Sequence, residues 1–283
     1  MKFFITGNLG YIGPVLTNFI KNIDKNIQII GFDTGFFEQC YTNEKIYKEK
    51  KYSVDMQIYG DVREIDKYKE IIKDCDHVIH LSAISNDPMG KEFEEVTQAI
   101  NLQSSVKLAK ISQEFNLKSF VFASSCSVYG SGDSSPRNEL DNVAPLTAYA
   151  KSKIGTELEL KKLSIDNHSA NTKFTSLRFA TACGASPRLR LDLVLNDFVA
   201  TAISTSKIQV LSDGSPWRPL IDVFDMSKAL YWASIRKTGD TNEVINTGSN
   251  NWNYQISELA NSVAKMVSND VPVNLNENAQ PDK

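Results

Sequence analysis

Six short apolar runs recur through the first two thirds of the chain, and they limit the possible folds more than any other feature. They stand at residues 2–6, 28–33, 56–61, 77–83, 119–124 and 174–180, and they lack a regular alternation of apolar and polar residues. Strands of this kind are covered on both faces, as in a parallel sheet. Helical segments lie between them, at about 11–23, 64–73, 92–116 and 146–165. This order predicts an α/β fold with a doubly wound parallel sheet over residues 1–180.

After residue 180 the pattern is less regular and predicts a smaller mixed α/β domain over residues 181–283, with some segments returning to the first domain. Its predicted helices lie near 191–205, 225–236 and 255–267, and its predicted strands lie at 208–211, 219–223 and 243–248. The polar stretch 34–55 contains the lysine-rich EKIYKEKKY and predicts an exposed insertion or, alternatively, a partner-binding surface. The sequence stops at NENAQPDK without a closing element, so a truncated chain and a mobile tail are both expectations.

Charge and cysteine content argue against several classes of protein. A net charge of −3 with 41% hydrophobic residues describes a folded chain without the basic surface that nucleic acid or an anionic membrane requires. No apolar stretch approaches the length of a membrane span. The four cysteines and three histidines lack the spacing of a zinc site or a disulfide framework, so no metal is expected. A reducing cytoplasm is the predicted location.

The first apolar run leads into TGNLGYIG and then into an apolar helix. In this position Gly7 permits a tight turn, Gly10 lets a diphosphate approach the backbone, and Gly13 allows close packing of the helix. The N-terminus of the helix would face the phosphates with free N–H groups and the positive end of its dipole. The motif therefore predicts the phosphate-binding turn of a Rossmann-type fold.

Asp33 ends the second apolar run, 33 − 13 = 20 residues after Gly13, and this is the usual interval to a ribose-binding carboxylate. A carboxylate repels a 2′-phosphate, and no basic residue follows directly. The motif therefore predicts NAD rather than NADP. The alternative is an aspartate that only caps a turn.

Tyr149 and Lys153 lie four residues apart in YAKSK, on a predicted helix that begins after Pro145. This spacing places both on one helix face, one turn apart. A free tyrosine hydroxyl has a pKa near ~10, but a neighbouring ammonium and the positive nicotinamide ring of NAD⁺ would lower that pKa. The pair therefore predicts a tyrosine that acts as a base. The alternative is an amphipathic helix with an exposed lysine.

TGNLGYIG, Asp33, ASSCSVYG (123–130) and YAKSK, in this order, resemble the extended short-chain dehydrogenase/reductases, and among them the NAD-dependent nucleotide-sugar epimerase/dehydratase family, in particular enzymes like UDP-glucose 4-epimerase. The resemblance implies that Ser125 hydrogen-bonds the reacting oxygen of a nucleoside-diphosphate sugar. It also implies that Tyr149 removes and returns a proton, and that Lys153 holds the nicotinamide ribose. A homodimer through the helices at 92–116 and 146–165 is implied as well.

The same resemblance supplies the remaining predicted site residues. The predicted cofactor residues, beyond the three glycines and Asp33, are Tyr11, Ile12, Asp61, Val62, Leu81, Ser82, Ala83, Tyr149, Lys153 and Phe179. The predicted substrate residues are Ser125, Thr181, Arg188, Asn196 and Arg218. Arg190 adds positive charge near Arg188, and for both arginines solvent exposure or an internal salt bridge is the alternative. Two residues depart from the family pattern: Thr181 stands where asparagine is common, and Asp222 stands where histidine is common.

The two residues after Ser125 favour one reaction. Family dehydratases carry acidic groups there, to take one proton and give another, whereas this chain has Cys126 and Ser127. We therefore predict a 4-epimerase that works through a transient 4-keto sugar. One alternative is a 3,5-epimerase or reductase in which Cys126 acts as acid and base; another treats this thiol as a small gap-filling residue. A 4-keto reductase and a non-enzymatic NAD sensor are further alternatives.

Overall fold

The central element of the fold is a sheet of seven parallel strands. A computed structural model describes residues 1–40, 53–85, 87–130, 135–166, 171–237, 239–268 and 270–276. The strands of this sheet are β1 (Lys2–Thr6), β2 (Gln28–Asp33), β3 (Met56–Tyr59), β4 (His77–His80), β5 (Ser119–Ser125), β6 (Lys173–Phe179) and β10 (Asn242–Thr247). Their spatial order is β10-β6-β5-β4-β1-β2-β3, and each neighbouring pair is parallel. The order reverses between β1 and β4, the switch point at which open α/β sheets bind ligands.

Three shorter strands form a second sheet, and two form a third. The second sheet contains β7 (Thr181–Cys183), β9 (Trp217–Asp222) and β11 (Asn253–Gln255), in the order β11-β9-β7. The third pairs β8 (Ile208–Gln209) with β12 (Val273–Asn274). A separate apolar cluster covers these elements and includes Phe198, Leu220 and Leu259.

Helices flank both sheets. Those around the large sheet are α1 (Gly13–Ile23), a 3₁₀ helix (Val62–Tyr68), α2 (Lys69–Lys73), α3 (Asp87–Glu92), α4 (Glu94–Thr97), a π-helical turn (Gln98–Gln103), α5 (Ser104–Glu114), a 3₁₀ turn (Cys126–Tyr129), α6 (Ala148–Asp166) and α8 (Val223–Ile235). The helices α7 (Val194–Thr205) and α9 (Ile256–Val267) belong to the smaller apolar cluster.

Both faces of the large sheet are covered, which explains why its strands lack polar alternation. Phe4 of β1 packs with Phe32 on one face, whereas Phe3 packs with Leu16 and Ile20 of α1 on the other. All five side chains are fully buried. Successive residues of a strand point to opposite faces, so a strand buried on both faces needs an unbroken apolar run.

The structure confirms the predicted α/β fold, and it corrects several element boundaries. The predicted helix at 64–73 is a 3₁₀ helix followed by the short α2, and the backbone angles are non-helical at Glu64 and at Tyr68, where the two helices meet. The predicted helix at 92–116 is divided by the π-helical turn. The predicted strand at 208–211 extends only over Ile208–Gln209. Residues 41–52 of the predicted insertion lie outside the described residues.

The segment 242–247 joins the edge of the large sheet beside β6. A C-terminal segment thus lies in the sheet whose other strands fall within residues 2–179. The division of the chain into domains at residue 180 stays a prediction.

Candidate active site

The turn between β1 and α1 requires its glycines. Gly7 has φ +71°, and a Cβ there would lie 2.7 Å from Ser82 N, directly after β4. A Cβ at Gly13 would lie 2.2 Å from Asn8 O, so only glycine lets the helix start this close to the turn. Around Gly10, among the described residues, only Gly7 O comes within reach of such a Cβ, at 3.2 Å. This open side, beside a helix N-terminus without a side-chain cap, has room for a diphosphate.

Asp33 is held at the end of β2 by two backbone N–H groups. Leu9 N, in the glycine turn, donates to Asp33 Oδ2 over 3.2 Å, and Gly35 N donates to Oδ1 over 2.9 Å. The carboxylate thus caps a local turn, as the alternative interpretation expects. It is also half-buried at the edge of the cleft, where its remaining lone pairs can accept hydrogen bonds from a ribose diol.

The other predicted cofactor residues lie at the same edge of the sheet. Asp61 begins the 3₁₀ helix and pairs with Arg63, whose hydrogen bond lowers the pKa of the Asp61 carboxyl. Val62 is buried, residues 81–83 are half-buried directly after β4, and Phe179 lies opposite Ser125 in the sheet. Their contacts with a cofactor stay a prediction.

Lys153 connects α6 to the strand that carries Ser125. Its Nζ donates to Ala123 O over 2.7 Å and lies 5.3 Å from the centroid of the Tyr149 ring. Ser125 ends β5, and its Oγ accepts a hydrogen bond from Ser127 N, which leaves the Ser125 hydroxyl hydrogen to be donated elsewhere. The structure therefore places the predicted serine, tyrosine and lysine on two elements that are in direct contact.

The environment of Lys153 brings its pKa close to neutrality. Burial lowers the pKa of the ammonium to about 7, and the Glu157 carboxylate, one turn further along α6, acts in the opposite direction. The ammonium also lies 4.7 Å from the centroid of the Phe122 ring. A lysine with this pKa can gain or lose a proton at the pH at which Tyr149 must act.

Cys126 and Ser127 present neutral groups beside Ser125. Burial raises the pKa of the Cys126 thiol to about 11, and the charge of Arg218 acts against this rise. The thiol is therefore protonated at neutral pH. Ser127 Oγ is buried and has no hydrogen-bond partner among the described residues, so a hydroxyl of a bound molecule could satisfy it.

Comparison with known proteins identifies the family. Residues 3–248 match the NAD dependent epimerase/dehydratase family. The chain belongs to this family. It is therefore an NAD-dependent enzyme, and the glycine turn and Asp33 are the residues that fit its cofactor.

Individual relatives are distant in sequence and close in fold. The uncharacterized UDP-glucose epimerase YtcB of Bacillus subtilis (strain 168) is 26% identical over 255 residues, which cover 88% of this chain and 77% of YtcB. The structure of UDP-N-acetylglucosamine 4-epimerase from Methanobrevibacter ruminantium M1, in complex with UDP-N-acetylmuramic acid, has a TM-score of 0.84 at 24% identity and covers 99% of this chain and 86% of that chain. TunA, an NAD-dependent NDP-hexosamine 5,6-dehydratase involved in tunicamycin biosynthesis, has a TM-score of 0.83 at 19% identity, with the same coverage. These two likenesses show the fold, which epimerases and dehydratases of the family share.

Asn196, a substrate residue implied by the family, is satisfied within the protein. Its Oδ1 accepts from Gly184 N over 3.0 Å, and its Nδ2 donates to Arg190 O over 3.0 Å and to Tyr11 Oη over 3.2 Å. These bonds tie α7 to the glycine turn. They favour a structural role for the amide, and its contact with substrate stays a prediction.

The remaining substrate residues implied by the family lie in two places. Arg218, on β9, lies close enough to Cys126 for its charge to lower the pKa of the thiol. Thr181 begins β7, the strand beside β9. The guanidinium of Arg188 instead lies 4.1 Å from the centroid of the Phe37 ring, in the segment that follows Asp33. The structure thus brings Arg218 to the catalytic strand and places Arg188 near the predicted ribose site.

His80 was assigned no role from the sequence, yet it links two parts of the site. Its Nδ1 accepts from Thr6 Oγ1 over 2.6 Å, at the start of the glycine turn. Its Nε2 donates to Ser105 Oγ over 2.7 Å, because that hydroxyl in turn donates to Asn101 O. Burial lowers the pKa of the imidazole to about 3, so the ring is neutral.

Asn101 is a second residue that the sequence analysis missed. It lies in the π-helical turn, is fully buried, and exchanges two hydrogen bonds with the backbone of Ile84, after β4. Its Nδ2 also donates to Ser152 Oγ over 3.2 Å, on the helix that carries Tyr149. The available signal was an asparagine within the helical pattern QAINLQ.

Among the described residues, no group of three or more histidine, cysteine, aspartate or glutamate side chains is arranged to hold a metal ion. None of the helices in the described ranges has both the length and the apolar character that crossing a membrane requires.

Proposed function

We propose that the protein is a nucleotide-sugar epimerase that inverts C4 through a transient 4-keto sugar. The observation that carries this proposal is the neutral pair Cys126–Ser127 beside Ser125, at the end of β5. A dehydratase needs groups that exchange protons at a second carbon, and a protonated thiol and a hydroxyl are poor groups for that task at neutral pH. Chemistry at a single carbon remains.

Each catalytic residue has one task in this scheme. NAD, held by the glycine turn and Asp33, would supply the acceptor for the C4 hydride and the donor that returns this hydride to the opposite face of the sugar. Tyr149 takes the proton of the C4 hydroxyl as the C4–oxygen double bond forms. It gives the proton back to that oxygen when hydride addition reduces the double bond to a single bond. Ser125 donates a hydrogen bond to the same oxygen. Lys153 lies close to the phenol ring, and its ammonium form stabilises the phenolate of Tyr149.

The proposed substrate is a nucleoside-diphosphate sugar. Arg218 supports this choice, because its guanidinium lies near the catalytic strand and a guanidinium binds diphosphate oxygens in a bidentate manner. The printed names of YtcB and of the Methanobrevibacter ruminantium enzyme make UDP-sugars the first substrates to test. We further propose a cytoplasmic homodimer in which residues 181–283 contribute most of the sugar site.

The test is direct observation of C4 inversion. The protein, with NAD, is incubated with UDP-glucose, UDP-N-acetylglucosamine or UDP-glucuronate, and the C4 epimers are separated and identified by proton NMR. A thermal-shift panel of nucleoside diphosphates identifies the nucleobase that the protein prefers, since a ligand at ~100 times its Kd adds roughly 2.7 kcal/mol of apparent stability. The Tyr149→Phe variant should bind NAD and lose about 100-fold or more of the turnover.

The alternatives give different results in the same experiment. A 4-keto reductase would leave C4 of these non-oxidised sugars unchanged, and it would consume NADH in proportion to product only when NADH and a 4-keto sugar are added. A non-enzymatic NAD sensor would show negligible turnover in both wild type and Tyr149→Phe, with NAD bound in each.

A further inference from the structure

The segment 184–192, which we call the strap, connects β7 to α7 and contacts three separate parts of the large sheet. Its first contact is the glycine turn. Tyr11 Oη donates to Gly184 O over 2.7 Å, and Ser186 Oγ donates to Tyr11 O over 2.7 Å. Because Tyr11 directly follows Gly10, these bonds hold the start of the strap beside the open side of the turn.

The second contact lies after β4. Arg190 Nη1 donates to Ser85 Oγ over 2.9 Å, and Arg190 Nε donates to Asp192 Oδ1 over 3.0 Å. The internal pair with Asp192 orients the guanidinium, and the bond to Ser85 fastens the far end of the strap to the sheet. Arg190 is mostly buried, with 19% of its side chain exposed.

The third contact lies after β2. The Arg188 guanidinium lies 4.1 Å from the centroid of the Phe37 ring. The negative charge of Asp33 stabilises the charged form of Arg188. Arg188 Nε is buried and has no hydrogen-bond partner among the described residues. A buried guanidinium N–H of this kind is costly unless an acceptor is supplied, and a bound anion would supply one.

The three contacts follow β1, β2 and β4, whose carboxyl ends form the dinucleotide crevice of this fold. We propose that the strap crosses over bound NAD and slows its release, with Arg188 and Arg190 facing its diphosphate and ribose rather than the sugar substrate. The proposal rests on the proposed function and deepens it. An epimerase regenerates NAD within each turnover and benefits from retaining it, whereas a reductase must exchange it.

The test measures NAD release without any sugar. Protein loaded with radiolabelled NAD is mixed with excess unlabelled NAD, and the label that remains on the protein is followed by rapid gel filtration. Ser85→Ala removes the acceptor of Arg190 Nη1 and keeps the pair with Asp192, and Phe37→Ala removes the ring beside Arg188. Each should release NAD about tenfold faster or more, as the loss of a charge-assisted contact allows. Arg190→Lys, which keeps the charge and loses the fork, should do the same.

Phe36→Ala is the matched control, since Phe36 is the neighbouring ring and is 83% exposed. Its release rate should equal that of the wild type. The proposal is overturned if Ser85→Ala, Phe37→Ala and Arg190→Lys all release NAD within twofold of the wild type. It is also overturned if these variants keep the wild-type release rate and instead weaken UDP binding. Because no sugar is present, failure to find C4 inversion would leave this result intact, so the two proposals fail separately.

Discussion

The Glu157 carboxylate and the Arg178 guanidinium form an ion pair behind the catalytic strand, with Arg178 Nη2 2.7 Å from Glu157 Oε2. Their side chains are only 3% and 6% exposed. Ser124 Oγ donates to Glu157, and Arg178 Nη1 donates to Tyr129 Oη over 2.8 Å. Since Glu157 lies one turn after Lys153 on α6, the pair fixes the catalytic helix against β5 and β6.

Replacing Glu157 with glutamine should therefore be costly to stability. It leaves the Arg178 charge buried without a counter-charge, and breaking a buried pair in this way costs about 3–5 kcal/mol of unfolding free energy. Urea unfolding followed by circular dichroism measures the change. Glu159→Gln is the control, because its pair with Lys162 is exposed and contributes less than about 1 kcal/mol. Equal midpoints for the two variants would show that the buried pair contributes no more than the exposed one.

Lys153→Met should weaken NAD binding about tenfold and move the rise of activity to higher pH by about one unit. The ammonium favours the phenolate form of Tyr149, so its loss raises the pKa of the base, and a base with a higher pKa needs a higher pH to work. The pH profile of the maximal rate measures this shift. Lys151→Met, on the exposed side of the same helix, should leave profile and affinity unchanged. An unshifted profile for Lys153→Met would remove its proposed influence on the base.

Cys126→Ser should change the C4-epimerase rate by less than about fivefold. Burial raises the pKa of the thiol to about 11, so a thiolate base is scarce at neutral pH, and a serine hydroxyl fills nearly the same space. Steady-state rates on the substrate found in the NMR assay test this. A loss of several orders of magnitude would place the thiol in the mechanism and favour the 3,5-epimerase alternative.

The two buried histidines should make the protein acid-labile. Burial lowers the pKa of His80 to about 3 and that of His77 to about 4, both below the ordinary ~6.5. The unfolded chain then binds protons first as pH falls, so stability present above pH ~6.5 is lost on acidification. Each histidine should cost about 2 kcal/mol between pH 7 and pH 5.

Urea unfolding at both pH values, for wild type and His80→Gln, measures this loss. Between pH 7 and pH 5, the His80→Gln variant should lose about half of the unfolding free energy that the two histidines together cost the wild type. The same dependence in both proteins would mean that His80 does not titrate as its burial implies.

Much of this architecture could be predicted because its causes are local. Unbroken apolar runs follow from burial on both faces, and the three glycines follow from backbone geometry within one turn. The position of Lys153 relative to Tyr149 is likewise fixed by a single helical turn. These features need no knowledge of distant contacts.

The features that were missed depend on distant partners. The π-helical turn that presents Asn101 is stabilised by Ile84 and Ser152, which lie 17 and 51 residues away in sequence. The path of the strap is set by Tyr11, 173 residues before Gly184. No spacing rule within the loop SPRLRLD reports that contact, nor the position of Arg188 beside Phe37. The predicted contact of Arg188 with substrate stays a prediction.

The predicted homodimer can be tested on α6. Leu158 and Ile165 are each 53% exposed and lie seven residues apart, which places both on one helix face. An interface through α5 and α6 would cover that face, and Leu158→Arg would introduce an unpaired charge into it. Light scattering at micromolar concentration should therefore give twice the chain mass for the wild type and the monomer mass for Leu158→Arg. Met266 lies on α9, away from this face, and is 89% exposed. The Met266→Arg variant should therefore remain dimeric. A monomeric wild type, or dissociation by Met266→Arg alone, would contradict an interface on these helices.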